Sequence, residues 1–567
     1  MGTKIRHVIF FMLLSVLVFP AKSWGLQSGK IINVKDFQAL GDGMTNDTQA
    51  IQEAIRSGSP GDTVLIPEGI FLVKTIGLKS GVHLKSLGIL RQQVDILEEF
   101  SQSKQNSSAP IIRGKDVSDI HLILRLESQN EGIYLTGSSN ISIDKSEFKG
   151  DGTSLRSFAG ILLYKCQMVS IQETKVSHYG IPRLQTHTYQ PGTGIRILES
   201  ENIIIDNSNI QYNGENGVFI HYSKDISVLN SVFRFNGMSA IQVAFGNSGI
   251  EKNYSFINNL MEDNAADAID INNRSEKPYW DINCLIEENT SKRNGFVSGK
   301  STPDGSGIAT LINVSGVRMI NNTAEKNNRP ALYIENCGEI YAESNKADNQ
   351  VELVLGLGHL NLVSNEFGNL NLLANVRAKK ISLQKNRLNN ISMPNGVEVD
   401  SLLVMDNEIT NGMMNFNLVG NVSFIGNKIS SESENPVFLV VKASSISIGR
   451  NEISSLRSNA ILVQKTAQHV SITNNAIQSI NSCIVDNGAE NLQISGNKLM
   501  SLAGGKTRFT LESNNPNNLF LSGNEHVGVG KIQAVIFRGK GTASVEGEKF
   551  TQGVPQYGEI RIINKGM

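Results

Sequence analysis

This chain of 567 residues contains few cysteines and few prolines, and its positive and negative charges nearly balance. The four cysteines stand apart, without a C-x-x-C pair, at Cys166, Cys284, Cys337 and Cys483. Isolated cysteines in apolar, strand-like stretches predict buried free thiols and give no support to a thiolate metal site. The formal net charge is -1 and no basic tail is present. This balance argues against a nucleic-acid partner.

Long apolar runs are missing after the N-terminus, so we expect no membrane-spanning segment in the mature protein. The N-terminus itself has the features of a secretory signal over residues 1–25. Lys4 and Arg6 precede an apolar stretch at residues 8–20, which is too short to span a bilayer, and small residues suited to cleavage follow at 21–25. We therefore predict a secreted or periplasmic protein, with an uncleaved anchor as the alternative.

A short phrase returns many times in the sequence. Its form is apolar, any, apolar, two mostly polar residues and Asn, as in ISLQKN and VSITNN. The closing asparagines are Asn259, Asn289, Asn322, Asn345, Asn365, Asn386, Asn407, Asn427, Asn451, Asn475, Asn497 and Asn524. Between Asn322 and Asn497 the steps are 20 to 24 residues long. A repeat of this length cannot bury its own core, so successive repeats must stack.

Alternation of apolar and polar residues within the phrase predicts strands rather than helices. Two or three such strands joined by tight turns make one coil, and each coil lies about 4.8 Å above the previous one. We therefore predict an all-β chain, a single-stranded, right-handed parallel β-helix with an N-terminal helical cap. Asparagine suits a fixed turn position, because its amide can bond to the asparagine of the next coil. A leucine-rich repeat has a similar length but needs an L-x-x-L-x-L spacing that is not kept here.

These patterns divide the chain into four segments. They are the signal at residues 1–25, the cap and first coils at 26–110, the β-helix at 111–530, and final strands or a small cap at 531–567. In the second segment, Asn46 and Asp47 can cap an amphipathic helix that ends near Arg56. This helix is expected to cover the open end of the first coil, as the end of a solenoid requires.

Three stretches of the cap segment carry a family resemblance. They are GDGMTNDTQAIQEAI from Gly41, TVLIPEG from Thr63 and LKSGVHLKSLG from Leu78. Together they closely resemble the N-terminal part of the pectate-lyase superfamily of right-handed β-helix proteins, which includes polysaccharide lyases, polygalacturonase-like hydrolases and mannuronan C5-epimerases. The resemblance implies the fold and the end cap, because these stretches are structural in that family. It also implies a polysaccharide as the partner and allows calcium as a cofactor, although no carboxylate cage is visible in the sequence.

Coils before Asn322 are longer and less regular than the coils after it. The early phrases close on Ser146, Thr174, Ser208 and Ser231, with steps of 28, 34 and 23 residues. Extra residues leave a solenoid as loops, usually on one face. Because loops on a rigid scaffold carry function, we expect the site to lie across residues 160–335.

A second strand recurs in each coil and predicts an outward strip of side chains. The inward residues are Ile195, Val218, Ile241, Ile269, Ile308 and Leu332. The outward residues are Arg196, Phe219, Gln242, Asp270, Ala309 and Tyr333, and the next outward column holds His221, Asn272 and Glu335. Polar and charged residues stacked in this way favour a groove over a neutral surface.

Asp267 and Asp270, in the phrase AADAIDI, are the first candidate pair. Asp267 precedes the strand and Asp270 points out of it, so both can border one groove. Glycoside hydrolysis uses two carboxyl groups, one that donates a proton and one that activates water. The phrase resembles the Asp-Asp-Cys-Ile-Ala-Ile stretch of polygalacturonases at Asp267 only, and the Asn-Thr-Asp, Gly-His-Gly and Arg-Ile-Lys motifs of that family are missing. Plain turn and surface roles are the alternative.

The coil before Arg196 is rich in basic and aromatic residues, among them Tyr179, Arg183 and His187. Such a loop suits an anionic sugar chain, because arginine binds a carboxylate bidentately. The phrase SHYGI resembles the Tyr-Gly-Phe-Asp-Pro-His signature of mannuronan C5-epimerases at Tyr179 and Gly180, without the Asp-Pro-His that follows in that family. The resemblance implies that a tyrosine or histidine here removes the C5 proton of a uronate. A solvated loop is the alternative.

We therefore expect an exported enzyme that cleaves or modifies a polysaccharide, with uronate lyase or C5-epimerase chemistry as the first hypothesis. An inverting glycoside hydrolase and a non-catalytic carbohydrate-binding or cell-surface protein are the alternatives. The candidate catalytic residues are Asp267, Asp270, Tyr179, His187 and His221. The candidate substrate-binding residues are Arg183, Arg196, Gln242, Trp280, Tyr333 and Glu335. No metal ligand is predicted.

Overall fold

The computed structural model describes most of the chain after the predicted signal. The described ranges are residues 29–93, 109–152, 159–186, 191–245, 249–273, 280–502, 504, 509–528, 533–551, 554–556 and 561–563. The signal at residues 1–25 and the candidate His187 lie outside them. Nearly every described element is a strand that pairs in parallel with a strand one coil away. The predicted all-β solenoid is therefore confirmed.

An amphipathic helix, Thr48–Ser57, lies at the N-terminal end of the solenoid, as predicted. Its buried residues are Ile51, Ala54 and Ile55. The side chain of Asn46 accepts the first N–H of this helix at 3.1 Å. Asp47 does not cap it with its side chain, and that expectation is wrong. Its carboxylate instead accepts the backbone N–H groups of Leu40 (2.6 Å) and Gly41 (3.0 Å), which fixes the preceding turn.

Each central coil consists of three strands, which we call the opening, middle and closing strands. The opening strands are Ile112–Lys115, Ile133–Thr136, Ile161–Tyr164, Ile195–Leu198, Val218–His221, Ile241–Phe245, Ile269–Asn273 and Ala309–Ile312. The middle strands are Ser118–Ile123, Ser139–Asp144, Gln167–Gln172, Glu201–Asp206, Lys224–Leu229, Tyr254–Ile257, Trp280–Glu287 and Val314–Ile320. The closing strands are Arg125–Ser128, Glu147–Gly150, Lys175–Ser177, Asn209–Gln211, Val232–Arg234, Leu260–Glu262, Thr290–Lys292 and Thr323–Glu325.

The same coils continue towards both ends. The N-terminal elements are Ile31–Asn33, the 3-10 helix Val34–Phe37, Asp42–Asn46, Thr63–Ile66, Ile70–Val73, Ile76–Gly77, His83–Ser86 and Ile89–Gln92. In the later coils the opening and middle strands are Leu332–Glu343, Val351–Val363, Asn369–Leu372, Arg377–Gln384, Asn390–Ser392, Glu398–Met405, Met414–Ile425, Phe438–Gly449, Ile461–Val463, Val470–Thr473, Ile484–Asp486, Gln493–Ser495, Leu511–Asn514, Leu519–Ser522, Gln533–Arg538, Thr542–Glu546, Val554–Gln556 and Arg561–Ile563. Their closing strands are Lys346–Ala347, Arg387–Leu388, Glu408–Ile409, Lys428–Ser431, Glu452–Ser455, Ala476–Ser479, Lys498–Ser501, Glu525–Val527 and Lys549–Phe550.

The repeated asparagines form one buried ladder along the solenoid. From Asn259 to Asn524, each side-chain amide donates to the side-chain oxygen of the next asparagine at 2.8–3.1 Å. The early Ser and Thr residues occupy the same position, since the amide N–H of Ser231 donates to Asn259 at 3.0 Å. At the far end Glu548 accepts the last amide at 2.9 Å. A buried polar group needs a partner, and the repeat supplies one in every coil.

A second asparagine ladder, which the sequence analysis missed, follows the closing strands. Its members are Asn213, Asn236, Asn264, Asn294 and Asn327, and the side-chain bonds between them are 2.9–3.0 Å long. Each lies five positions after a member of the first ladder, for example Asn264 after Asn259. This five-residue spacing is the sequence signal that could have identified the second ladder. The second ladder fixes the turns from which the site's loops emerge.

The four cysteines are buried free thiols, as predicted. Burial raises the pKa of the Cys166 thiol, so it resists conversion to the reactive thiolate. None of the helices in the described ranges has the length and apolar character that crossing a bilayer requires.

Candidate functional site

The outward side of the opening strands forms a strip that we call the floor. Strand register places Arg196 beside Phe219, Phe219 beside Gln242, and Gln242 beside Asp270. The sequence analysis then placed Ala309 next, and this is wrong, because Asp270 pairs with Thr310. Ala309 is fully buried and Thr310 is 9% exposed. In this coil Ile308 rather than Gly307 holds the position that Gly or Ala holds in the neighbouring coils, so the count from the sequence was one residue early.

Longer connections border the floor on the side where the opening strands begin. The connection at residues 178–194 precedes the strand of Arg196, and the connection at 293–308 precedes the strand of Thr310. The second connection contains a two-stranded antiparallel hairpin, Phe296–Val297 with Lys300–Ser301. Both lie within the region where the coil lengths predicted loops.

Residues 181–186, which we call the strap, run across several coils. A Cβ atom added at Gly214 would lie 2.6 Å from the nitrogen of Ile181, and one added at Gly237 would lie 2.9 Å from Cα of Pro182. Such distances are too short for any side chain, so these two glycines allow the strap to pass directly over successive turns. At its end the Thr186 hydroxyl donates to the Asp304 carboxylate.

Asp267 lies at the edge of the floor and is 8% exposed. Its Oδ1 accepts the backbone N–H groups of Gly305 (3.0 Å) and Ser306 (2.5 Å), which attaches the long connection to this coil. Burial, with a contribution from the negative charge of Asp304, raises the pKa of Asp267 from 3.8 to about 6. Hydrogen bonds from the two amides and from Thr310 act in the opposite direction. The group can therefore hold a proton in weakly acidic solution.

Asp270 is half-buried at the centre of the floor. A chain of side-chain amides leads to it, because Asn216 donates to Gln242 at 2.7 Å and Gln242 donates to Asp270 Oδ2 at 2.8 Å. These bonds fix the orientation of the carboxylate, whose other oxygen, Oδ1, has almost no exposed surface. Asn216 was not among the sequence candidates, because nothing in its phrase distinguishes it from an ordinary turn asparagine.

Arg196 is on the floor but is not available to a ligand. Its guanidinium bonds to Glu215 at 2.9 and 3.2 Å, and the two side chains are 3% and 1% exposed. Phe219 lies 5.3 Å from the guanidinium and covers it. The expectation that Arg196 is an exposed substrate-binding residue is therefore wrong. Its partner Glu215 comes from a different coil turn, which the sequence analysis did not consider.

Tyr179 does not reach the floor either. Its ring is 3% exposed in the core, its hydroxyl lies 2.6 Å from the hydroxyl of Ser128, and burial raises its pKa. A tyrosine in this position cannot serve as a base for a bound sugar, so the placement expected for it is wrong. Its neighbour His178 faces the outside and stacks on Tyr212 at 5.3 Å.

The second outward column has the expected members. His221, Asn272 and Glu335 occupy equivalent positions in their strands. The ring of His221 lies 2.6 Å from the carbonyl oxygen of Ala244, so one of its nitrogens is occupied.

The remaining candidates lie on three different elements. Tyr333 donates to Glu335 at 2.6 Å. Arg183 is exposed on the strap. Trp280 begins a middle strand, but its side chain lies outside the described part. Within the described ranges, no three His, Cys, Asp or Glu side chains are grouped closely enough to hold a metal ion.

A family model described as a right handed beta helix region matches residues 104–290. The chain has the fold of a right-handed parallel β-helix. The match covers the coils that carry most of the floor. It confirms the predicted right-handed β-helix fold.

Similarity to individual proteins is local in sequence. Plasmin and fibronectin-binding protein A of Streptococcus pneumoniae is 50% identical over 58 residues, which is 10% of this chain and 8% of that protein. Mannuronan C5-epimerase AlgE1 of Azotobacter vinelandii is 36% identical over 81 residues, 12% of this chain and 6% of that protein. The matches thus span less than a tenth of either relative's length. Among solved structures, the A-module of the Azotobacter vinelandii mannuronan C-5 epimerase AlgE6 has 14% identity and a TM-score of 0.32, covering 92% of this chain and 99% of that one.

Proposed function

We propose that this protein is a glycan hydrolase whose substrate lies along the floor. The observation that carries the proposal is the pair of carboxyl groups at Asp267 and Asp270, which have different environments in the same coil. Asp267 is nearly buried, with a pKa raised to about 6, whereas Asp270 is half-buried and hydrogen-bonded by Gln242. Two carboxyl groups with separate acid and base roles are the requirement for glycosidic hydrolysis.

Asp267 is the proton donor in this scheme. Its Oδ1 accepts two amide N–H groups, so the proton resides on the other oxygen. From there it passes to the glycosidic oxygen as the bond from that oxygen to the anomeric carbon breaks. A pKa of about 6 keeps much of the group protonated in mildly acidic solution.

Asp270 is the base. Gln242 donates to Oδ2 of its carboxylate at 2.8 Å and so holds the group in one orientation on the floor. The carboxylate takes a proton from a water molecule as the water oxygen bonds to the anomeric carbon. The products are two shorter glycans, one of which has a new reducing end.

Uronate lyase or epimerase chemistry is the second candidate. Local identity of 36% to a mannuronan C5-epimerase supports it. The positions of the residues support it less, because Tyr179 is buried and Arg196 is neutralised by Glu215. In this second scheme His221 takes the place of Tyr179 as the base.

The test is to incubate the purified chain with a panel of neutral and uronate polymers and to assay both new reducing ends and ultraviolet absorbance. Hydrolysis yields reducing ends without absorbance, whereas elimination yields an absorbing unsaturated product. Asp267→Asn and Asp270→Asn should each lower the rate by about a hundredfold or more. Asp400→Asn, at an exposed residue of a later coil, is the matched control and should retain activity. A folded protein that binds a polymer but cleaves none would instead indicate the non-catalytic alternative.

A further inference from the structure

The charge of the floor indicates which kind of glycan it accepts. The described floor column runs from Arg196 through Phe219, Gln242, Asp270 and Thr310 to Tyr333, and Arg196 is its one arginine. Glu215 balances the charge of this arginine at a distance of 2.9 Å. With both side chains at 3% exposure or less, this ion pair presents no free cation to a ligand. A uronate carboxylate placed there would lose its hydration without gaining an arginine partner.

Negative charge accumulates further along the same surface. Asp270 lies on the floor, and Asp267 and Asp304 lie at its edge, close enough for the charge of Asp304 to act on Asp267. In the next coils Glu335 follows, and Glu352 pairs in register with Tyr333. The pKa of the Tyr333 hydroxyl is raised by burial and by both of these glutamates.

The other polar groups of the floor are uncharged. Gln242 and Asn272, which are both half-buried, each offer a side-chain amide, whereas Asn216 is fully buried and supports Gln242. Such groups donate to and accept from sugar hydroxyls without needing a charge on the ligand. Positive charge occurs at exposed connections, at Arg183 on the strap and at Arg329, whose charge acts on the pKa of Tyr333 in the opposite direction to the two glutamates.

We infer that the substrate is a neutral polysaccharide, uncharged at the sugar units that contact the floor, and this inference rests on the proposed hydrolysis. It replaces the anionic substrate expected from the sequence. The physical reason is that a uronate chain would bring like charges next to Asp270 and Glu335, and like charges repel more strongly at a partly buried surface than in water.

The experiment compares the full chain on neutral galactan, mannan, xylan, β-glucan and fructan with its action on polygalacturonate and polymannuronate. We expect at least one neutral polymer to be cleaved about tenfold faster than either uronan. For that polymer the rate should change little between low and high salt, because exposed charge attraction is not involved. Retention on immobilised polymers measures binding separately from cleavage.

Glu352→Gln provides a charge test. Removal of this negative charge should strengthen retention on immobilised uronan relative to retention on the neutral polymer. Glu325→Gln, on a closing strand of another face, is the control and should leave this ratio of retentions unchanged. Faster cleavage or stronger retention of a uronan by the unmodified protein would overturn the inference and leave hydrolysis intact. Retention of a neutral polymer without cleavage would support the inference and refute the proposed hydrolysis.

Discussion

Replacement of Asp267 by asparagine should stabilise the folded protein although it removes the proposed proton donor. The carboxyl group is 8% exposed, and its pKa is raised to about 6 by burial and by the charge of Asp304. Asparagine has nearly the shape of protonated aspartic acid, and its oxygen can still accept the amides of Gly305 and Ser306. Because it carries no charge at any pH, the cost of burying a carboxylate disappears.

The sign and size of this effect follow from the difference between the folded and unfolded pKa. We take the usual value of 3.8 for the unfolded chain and about 6 for the folded chain. Between these values the folded state holds more protons, so the free energy of unfolding falls as the pH rises. Above about pH 6 both states are ionised, and at about 1.36 kcal/mol per pKa unit the buried carboxylate costs up to about 3 kcal/mol. Below the unfolded value both states are protonated and the cost is absent.

Urea unfolding followed by circular dichroism tests the prediction at about pH 7.5 and near pH 3.8, the usual pKa value. Asp267→Asn should gain up to about 3 kcal/mol at the higher pH and lose most of that gain at the lower one. The exposed Asp400→Asn protein serves as the control for the substitution itself and should show no such dependence. A variant that is less stable at both pH values, or a gain that does not depend on pH, would refute the reasoning.

Three other variants test separate parts of the structure. Asp270→Asn should lower hydrolysis by about a hundredfold and change the free energy of unfolding by less than about 0.5 kcal/mol, since the new amide can still accept from its neighbour. Thr186→Val should release Asp304 and lower the pKa of Asp267, which would move the alkaline limb of the pH–activity profile to lower pH. Asn386→Leu should cost about 3 kcal/mol in unfolding free energy, because buried partners in both neighbouring coils lose their bonds.

Specific results would contradict these expectations. Full activity in a folded Asp270→Asn protein would place the base elsewhere. An unchanged pH profile in Thr186→Val would show that the strap does not position the Asp304 carboxylate. The control Thr186→Ser, which keeps the hydroxyl, should show the original profile. Equal losses of stability at Asn386 and at the exposed Asn395 would remove the special role of the ladder.

The fold could be predicted because its determinants are local and repeated. The asparagine of each phrase bonds to the same asparagine one coil away, so a 20 to 24-residue period is enough to specify the stack. The cap helix was predictable for a similar reason, since Ile51, Ala54 and Ile55 lie on one face whatever follows. The five-residue spacing between the two ladders was also visible in the sequence, although only the first ladder was used.

The site depended on contacts that no local pattern contains. Alternation identified Arg196 as outward-facing, but Glu215 from the following turn neutralises it and Phe219 from the next coil covers it. Tyr179 follows a closing strand, and only the path of the chain into the core explains its burial. Alternation with a period of two residues predicts which side chains of a strand face outward. It does not predict which coil has an extra residue before its strand, and this is why Ala309 was misplaced. The sequence alone therefore determined the stack of coils, whereas tertiary packing decided which of its outward charges remain free to act.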